Sequence, residues 1–475
     1  MNNPVNDIKP IITAELAWRY RVAFTSKREN GIVLYASNAI DQNQLQQHIE
    51  ELELITGCSV EFELIDEEKL TQILEHLYAK RDTADMRLQQ NYYEGHPDNF
   101  LSDLITEAKM LKSSDIHIET YEIDCRVRIR VDGLLVLRYL IEKKQYPSLI
   151  NKIKIAANLD IAEKRLPQDG RIFFNRGSDK FDIRVSIVPA LYGEKVVLRL
   201  LSNDATDIEL ENLGFSENDL NNYLEGLKKP YGIILISGPT GSGKTTTLYA
   251  TLKRLNLSTK NILTIEDPIE YTLQGINQVQ VRDNIGLSFA KALRTFLRQD
   301  PDIIMLGEIR DAETANMAIR AALTGHLVLS TIHTNSAWGT ISRLTDMGIP
   351  PFLIANTLNI SVAQRLVRLL CEHCKKETPF DEALLPRKYI PPEKLITHYV
   401  PVGCTECFNT GYKKRKAIYE VVPVDEDLTE EIKKGSARIG ELLKQKGIET
   451  LSGNAFRLFR NGLTSIEEVY PMLLG

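Results

Sequence analysis

The feature that most constrains this chain is a glycine-rich loop, GPTGSGKT at 238–245, set between two regular elements. The apolar run IILIS at 233–237 predicts a buried strand before it, and TTLYATLKRL at 246–255 has the spacing of a helix. A Gly-rich turn can match Gly-x-x-x-x-Gly-Lys-Thr by chance, but the strand and helix on either side favour a phosphate-binding loop. The chain is therefore expected to contain an α/β unit that binds a nucleotide.

The loop itself predicts how ATP and magnesium would be held. Backbone N–H groups of a glycine-rich loop can curl around a polyphosphate, and the following helix adds the positive end of its dipole. Lys244 is predicted to reach the β- and γ-phosphates, and Thr245 to hold Mg²⁺. The residues predicted to bind the nucleotide are Gly238, Pro239, Thr240, Gly241, Ser242, Gly243, Lys244, Thr245 and Thr246, together with Glu266 and Asp267.

Carboxylates stand at the ends of two further apolar strands. Glu308 ends DIIMLGE, and TIEDPIE places Glu266, Asp267 and Glu270 after the preceding strand. Strands that alternate with helical stretches are typical of a parallel sheet, whose carboxyl edge meets the phosphate loop. Because ATP hydrolysis needs a group that orients water near the γ-phosphate, these acids are candidate catalytic residues. The alternatives are a surface glutamate and a turn that begins at Asp267.

Two histidines, His326 and His333, bracket the next strand, HLVLSTI. A single histidine near a strand end is more often structural. Two of them around a strand of a nucleotide-binding sheet are equally compatible with sensing the γ-phosphate by hydrogen bonding. Both are therefore candidate catalytic residues.

The length and net charge of the chain limit the number of domains and the classes of protein to which it can belong. The chain has 475 residues, which suggests roughly three domains at ~150 residues each. Its net charge of −6 and the pI near 5.9 disfavour a nucleic-acid binder, and the basic run at 413–416 is more typical of a solvated turn. No run of ~18 apolar residues and no leader are seen, so we expect a cytoplasmic protein that meets the membrane only through partners.

Four of the six cysteines form two pairs, Cys371/Cys374 and Cys404/Cys407, separated by the residues 375–403. Two such pairs predict a structural Zn²⁺ site with four thiolates. The spacer exceeds the usual ~15–20 residues, which indicates a ribbon with an inserted loop. The alternative is two unrelated reduced pairs. Cys58 and Cys125 stand alone.

Several motifs together are similar to those of the type II/type IV secretion ATPase superfamily. GPTGSGKT resembles its Walker A motif, TIEDPIEY its aspartate box, LRQDPDIIMLGEIRD its atypical Walker B motif, and TGHLVLSTIHTNSA its histidine box. The resemblance extends to SDIHIET, RIRVDG, RLPQDGR and DIRVS upstream, and to the cysteine pairs and GYKKRKAIYE downstream. It covers the chain from about Phe100 to the C-terminus.

The resemblance implies a hexameric, ring-shaped cytoplasmic motor, with ATP held between a RecA-like domain and a smaller preceding domain. It implies that Arg184, Arg199 and Arg294 approach the phosphates, with Arg171 a weaker candidate. Guanidinium groups can neutralise the charge that develops on phosphate oxygens. From residues alone these arginines would be solvated positions on strand faces. The resemblance also makes Glu270 the water-activating glutamate and Glu308 the Walker B glutamate that supports Mg²⁺.

The predicted architecture is an α/β fold: a RecA-like P-loop core, a preceding α/β (PAS-like) domain, an N-terminal α/β docking domain and a tetracysteine zinc module. The predicted boundaries are 1–85 for the docking domain, 86–99 for a linker, 100–205 for the arginine-bearing domain, 206–365 for the ATPase domain, 366–415 for the zinc module and 416–475 for a helical domain.

The first ~85 residues resemble the single N-terminal domain of type II secretion ATPases. That resemblance implies docking onto the cytoplasmic domain of the inner-membrane L component and work beside the polytopic F component, at the inner-membrane face of a Gram-negative bacterium. The alternatives are a type IV pilus assembly ATPase, a DNA-translocating ATPase and a nucleotide-gated scaffold that does not hydrolyse ATP. The acidic balance disfavours a DNA-translocating ATPase. The intact Lys244, Glu270 and Glu308 disfavour a scaffold that does not hydrolyse ATP.

Overall fold

The structure is a computed structural model. It describes residues 16–17, 20–28, 31–38, 40–41, 45–46, 48–49, 51–53, 59–77, 99–176, 179–201, 209–436 and 439–474. The chain divides into two compact units, 1–92 and 93–475. The predicted linker at 86–99 lies outside the described residues except for Asn99, and so does the predicted boundary between 205 and 206.

The described part of the first unit contains a three-stranded sheet followed by the helix Glu67–Leu77. Strand β2 pairs antiparallel with β1 and parallel with β3, and apolar side chains such as Phe24, Leu34 and Leu74 form its core. Its elements are β1 (Val22–Arg28), β2 (Gly31–Ser37), β3 (Ser59–Ile65) and α1 (Glu67–Leu77).

The second unit opens with a six-stranded antiparallel sheet in the order β6-β5-β4-β9-β8-β7. Apolar residues on one face of the sheet share a core with two helices. The elements are α2 (Phe100–Met110), β4 (Asp115–Thr120), β5 (Cys125–Val131), β6 (Leu134–Ile141), α3 (Tyr146–Ala156), β7 (Gln168–Arg176), β8 (Asp179–Ala190) and β9 (Gly193–Leu201).

The opposite face of this sheet carries three of the four predicted arginines, Arg171, Arg184 and Arg199. In β5, Val127 and Ile129 are buried, whereas Arg126, Arg128 and Arg130 alternate with them and are partly exposed. Residues directly opposite each other on paired strands share a face. The register Arg171↔Arg184↔Arg199 therefore places three further arginines in one row across β7, β8 and β9.

A seven-stranded sheet in the order β12-β11-β13-β14-β10-β15-β18 follows, and its strands from β12 to β15 are parallel. This mixed α/β fold with a parallel sheet confirms the predicted class. Its elements are α4 (Glu217–Leu227), β10 (Gly232–Ser237), α5 (Lys244–Leu255), β11 (Ile262–Glu266), β12 (Asn277–Gln280), α6 (Phe289–Phe296), β13 (Ile303–Leu306), α7 (Ala312–Leu323), β14 (Leu327–Ile332), α8 (Gly339–Asp346), α9 (Pro351–Thr357), β15 (Leu358–Leu370) and β18 (Tyr412–Pro423).

The cysteine segment is inserted between the long antiparallel strands β15 and β18, so the predicted boundaries at 365/366 and 415/416 fall inside those strands. Both strands belong to the parallel sheet at one end and extend beyond it at the other. The inserted strands and the following helices are β16 (Lys376–Pro379), β17 (Thr397–Val400), α10 (Glu426–Lys434), α11 (Gly440–Gln445), α12 (Leu451–Arg460) and α13 (Ile466–Leu473). Among the described helices, none has the length and apolar character needed to span a bilayer.

Candidate nucleotide-binding site

The phosphate loop joins the end of β10 to the start of α5. Every residue of β10 is buried, because helices cover both faces of a parallel sheet. Gly238 has φ +151° and Gly243 has φ +88°, both in the region that favours glycine. A Cβ at Gly238 would lie 2.5 Å from the Gln364 carbonyl oxygen, and one at Gly243 would lie 2.9 Å from Gln364 Nε2. The close approach of β15 therefore requires glycine at both positions.

Lys244 folds back over this loop. Its Nζ donates to the carbonyl oxygens of Gly238 at 2.8 Å and Pro239 at 3.0 Å. Burial lowers the pKa of Lys244, against the opposing charge of Glu308. The loop also contains Ser242, whose buried Oγ has no hydrogen-bond partner among the described residues. A buried cation and an unpaired hydroxyl on a cradle of glycines fit a phosphate ligand.

The Walker B glutamate joins this cluster. Glu308 follows β13, and its carboxylate accepts hydrogen bonds from Arg310 and, at 3.3 Å, from His333 Nε2. Burial by itself would raise the pKa of Glu308, but Arg310 and His333 outweigh burial and the pKa is lowered. Arg310 also lies 3.9 Å from Asp267 Oδ2. Lys244, Glu308, Arg310 and His333 thus meet at the carboxyl edge of the parallel sheet.

The aspartate-box glutamate is reached by an arginine of the antiparallel sheet. Arg184 Nη1 lies 3.7 Å from Glu270 Oε2, and Arg184 Nη2 donates to the Ile269 carbonyl oxygen at 2.7 Å. About two fifths of the Glu270 side chain is exposed. Glu270 is therefore open to solvent and held beside a cation.

The other predicted arginines make different contacts. Arg199 Nε donates to Asp115 Oδ1 at 3.0 Å, and Arg171 lies 3.9 Å from Asp182. Arg294, on α6, pairs with Glu313 at 2.5 Å. Of the four predicted arginines, Arg184 is the one that contacts the aspartate box among the described residues.

The two histidines lie at opposite edges of the sheet. His333 follows the carboxyl end of β14 and joins Glu308. His326 precedes its amino end, and its Nδ1 lies 2.9 Å from the Ala321 carbonyl oxygen. A strand of six residues spans about 20 Å. His326 therefore lies at the edge of the sheet away from Glu308, and its catalytic role stays a prediction that its position does not support.

Glu266 also differs from its predicted role. It is 3% exposed and accepts hydrogen bonds from Tyr249, from Thr264 Oγ1 at 2.5 Å and from Gln278 Nε2 at 3.1 Å. A carboxylate enclosed by protein donors is not available to a nucleotide. Glu266 therefore lies beneath the site rather than in it.

Two arginines at the site, Arg310 and Arg365, were not predicted from the sequence. Arg365 Nη2 donates to the Asn335 carbonyl oxygen at 3.0 Å, and its Nη1 would lie 3.2 Å from a Cβ at Gly238. Gln364 Oε1, beside it, accepts from Thr247 Oγ1 at 2.9 Å. One signal was present: each arginine closely follows an apolar run, as Glu308 does.

The four paired cysteines form a compact cluster far along the chain from the phosphate loop. Their sulfur atoms all lie within 4.8 Å of one another, with 3.9 Å between Cys371 and Cys404, 3.8 Å between Cys374 and Cys407, and 3.7 Å between Cys404 and Cys407. A tetrahedron with Zn–S bonds of ~2.3 Å has edges of about 3.8 Å. The Gly411 N–H donates to Cys407 Sγ at 3.2 Å. The cluster therefore fits a tetrahedral metal ion.

Comparison with known proteins gives consistent matches. The model of the family described as type II/IV secretion system protein matches residues 94–471. Type II secretion system protein E of Aeromonas hydrophila is 39% identical over 487 residues, covering 97% of this chain and 96% of that protein. The type IV pilus assembly ATPase PilB of Myxococcus xanthus is 44% identical over 448 residues, covering 89% and 79%. The crystal structure of the pilus retraction motor PilT with bound ADP matches with a TM-score of 0.53 at 26% identity, covering 78% of this chain and 95% of that one.

Proposed function

We propose that this chain, a member of the type II/IV secretion system protein family, is the ATPase that powers type II protein secretion by driving pseudopilus assembly. The observation that carries the proposal is the convergence of Lys244, Glu308, His333 and the Arg184–Glu270 pair around one phosphate loop. The full-length match to a type II secretion protein E supports the secretion role, because it includes the first unit of the chain.

In the proposed reaction the loop at 238–245 binds the phosphates of ATP, and Lys244 contacts the β- and γ-phosphates. Thr245 would hold Mg²⁺ with the support of Glu308, and the bound ion would supply positive charge beside the phosphate oxygens. Glu270 orients the attacking water and accepts its proton. Arg184 stabilises the charge that develops on the γ-phosphoryl group. Arg199 and Arg294, which pair with Asp115 and Glu313 in this structure, are proposed to approach the phosphates as well.

Cys371, Cys374, Cys404 and Cys407 are proposed to hold one Zn²⁺ through four thiolates. The ion would supply no chemistry to ATP hydrolysis. Because a structural zinc site contributes on the order of 10 kcal/mol of binding free energy, it would order the segment inserted between β15 and β18.

The proposed assembly is a homohexamer at the cytoplasmic face of the inner membrane. The first unit would dock onto the cytoplasmic domain of the L component, and the ring would act on the polytopic F component. This proposal is supported by family membership and by the secretion proteins E among the relatives.

A second candidate function is type IV pilus assembly. It is favoured by the 44% identity to the Myxococcus xanthus pilus ATPase over 89% of this chain. Deleting the gene in the source bacterium separates the two roles. Loss of exoproteins from the culture supernatant with normal surface pili supports secretion, and the reverse phenotype supports pilus assembly.

Hydrolysis is tested on the purified full chain with zinc and Mg²⁺ present. Wild type is expected to release phosphate from ATP. Lys244→Ala is expected to abolish turnover while its thermal melting curve stays near wild type. Glu270→Ala is expected to bind ATP yet lose hydrolysis. Wild-type rates for Lys244→Ala would refute the ATPase assignment. Retained turnover in Glu270→Ala would show that a residue other than Glu270 is the general base.

A further inference from the structure

A buried polar cluster, formed by Tyr249, Thr264, Glu266 and Gln278, lies under the aspartate-box turn. Tyr249 is 1% exposed and Thr264 is fully buried. The Tyr249 hydroxyl donates to Glu266 Oε2, and Thr264 and Gln278 donate to Glu266 Oε1. A buried carboxylate is costly unless its oxygens are bonded, and here the protein supplies those bonds. The cluster is therefore a rigid, water-poor support.

The cluster contacts the backbone of the proposed base. The Glu270 N–H donates to Tyr249 Oη at 3.3 Å, while the same hydroxyl donates its own proton to Glu266. Burial, followed by the charge of Glu266, raises the pKa of Tyr249, so the hydroxyl stays protonated at neutral pH. Its single proton is committed to Glu266, which leaves an oxygen lone pair for Glu270 N. The carboxylate thus fixes the orientation of the hydroxyl that holds the base.

Gln278 extends the same support along the turn. Its Nε2 donates to the Tyr271 carbonyl oxygen at 3.2 Å, and its Oε1 accepts from Leu273 N at 2.6 Å. The Tyr271 ring packs edge-on against Tyr249 with 4.5 Å between centroids. The cluster therefore bonds three backbone groups of this turn: the Glu270 N–H, the Tyr271 carbonyl and the Leu273 N–H.

Tyr249 also belongs to the helix that begins in the phosphate loop. Helix α5 starts at Lys244, five residues before Tyr249. A helix interior is rigid, so α5 fixes the distance from Lys244 to Tyr249. The Tyr249 hydroxyl in turn fixes the backbone of Glu270 relative to Lys244. On the open side, Arg184 approaches the Glu270 carboxylate itself. The backbone and the carboxylate of Glu270 are therefore held by different elements.

We propose that Tyr249 is a positioning residue for ATP hydrolysis: its hydroxyl, oriented by Glu266, fixes the backbone of Glu270 relative to the phosphate loop. This inference rests on the proposed ATPase function. It assigns Glu266 a role through Tyr249 rather than through contact with the nucleotide. A misplacement of about 1 Å at a reacting group can cost roughly a hundredfold in rate.

The test is the Tyr249→Phe variant of the full chain, assayed for steady-state ATP hydrolysis and for binding of a fluorescent ATP analogue. We expect kcat to fall about tenfold to a hundredfold while KM and analogue affinity change less than about twofold. The matched control is Tyr223→Phe, because Tyr223 is also fully buried and bonds Thr251 on the same helix at 2.8 Å. The control is expected to keep kcat within about twofold of wild type.

A double-variant comparison separates positioning from general destabilisation. If Tyr249 acts through Glu270, Tyr249→Phe combined with Glu270→Gln is expected to be no slower than Glu270→Gln alone. A further loss equal to that of the single Tyr249→Phe variant would overturn the inference. So would a wild-type kcat in Tyr249→Phe, or an equal loss in Tyr223→Phe.

Glu266→Gln provides an independent measurement should Tyr249→Phe fold poorly. The glutamine amide keeps one acceptor oxygen but places an N–H₂ donor where a carboxylate oxygen accepted hydrogen bonds, which disturbs the orientation of the Tyr249 hydroxyl. We therefore expect a lower kcat with unchanged affinity for the ATP analogue. Weakened affinity would show that Glu266 contacts the nucleotide and would overturn the inference. Absence of hydrolysis by the wild-type chain would instead refute the proposed ATPase function, which keeps the two failures distinct.

Discussion

Arg184, on a strand of the antiparallel sheet, and Glu270, in the turn that follows a strand of the parallel sheet, meet with 3.7 Å between Nη1 and Oε2. The contact is reinforced because Arg184 Nη2 donates to the carbonyl oxygen of Ile269, the residue before the glutamate. A planar guanidinium can make both contacts at once, which a lysine ammonium cannot do with the same geometry. The antiparallel sheet therefore contributes a cation directly to the edge of the proposed ATP site.

Replacing Arg184 by Ala is expected to lower kcat by roughly 10³-fold, since arginines that neutralise charge on a transferring phosphoryl group contribute at least that order. The measurement is steady-state phosphate release at saturating ATP. Arg176→Ala is the control, because Arg176 makes an exposed ion pair with Asp103 in the same part of the chain. A normal rate for Arg184→Ala would place the phosphate-stabilising arginine elsewhere.

Arg310→Ala is expected to move the acid limb of the pH profile of kcat/KM to higher pH. Burial opposes ionisation of Glu308, but Arg310 and His333 hold its pKa below the usual value for a glutamate. Its charged form therefore adds stability above about pH 4.3, lost as pH falls through the lower folded pKa. Without Arg310 the pKa of Glu308 rises, so protonation begins at a higher pH.

The pH profile is measured between about pH 5 and 8, where a raised carboxyl pKa becomes visible. Arg254→Ala, which breaks an exposed ion pair with Glu211, is the control and is expected to leave the profile in place. An unshifted acid limb in Arg310→Ala would show that Glu308 does not govern that limb.

The two histidines are expected to behave differently when each is replaced by Ala. His333→Ala removes a hydrogen bond to Glu308 and is expected to lower kcat by roughly tenfold to a hundredfold. His326→Ala alters the opposite edge of the sheet and is expected to keep kcat within about twofold of wild type. Equal losses in the two variants would contradict the placement of His326 outside the site.

Cys404→Ser is expected to release about one zinc ion per chain, because four thiolates are needed to complete the tetrahedral site. Metal content is measured by atomic absorption on purified protein. Cys125→Ser is the control, since Cys125 lies in the antiparallel sheet outside the cysteine cluster. Wild-type zinc content in Cys404→Ser would exclude a four-thiolate site.

Local patterns predicted much of the fold and part of the site. The phosphate loop, the apolar runs of the strands around it and the spacing within each cysteine pair depend on residues close in sequence, and all are present in the structure. The residues around Glu308 were harder to predict. Arg310 joins the site because β13 ends at the same edge as β10, and Arg365 joins it because β15 runs past that edge; both depend on strand order.

The sequence by itself determined the phosphate loop and the four cysteines, because glycine conformation and thiolate chemistry act over a few residues. Tertiary structure alone decided which predicted partners meet. His333 reaches Glu308 and His326 does not, since strand direction sends them to opposite edges. Glu266 is enclosed by Tyr249 rather than exposed to a ligand, because α5 packs over the end of β11. Such choices depend on contacts between residues far apart in the chain, which no local pattern records.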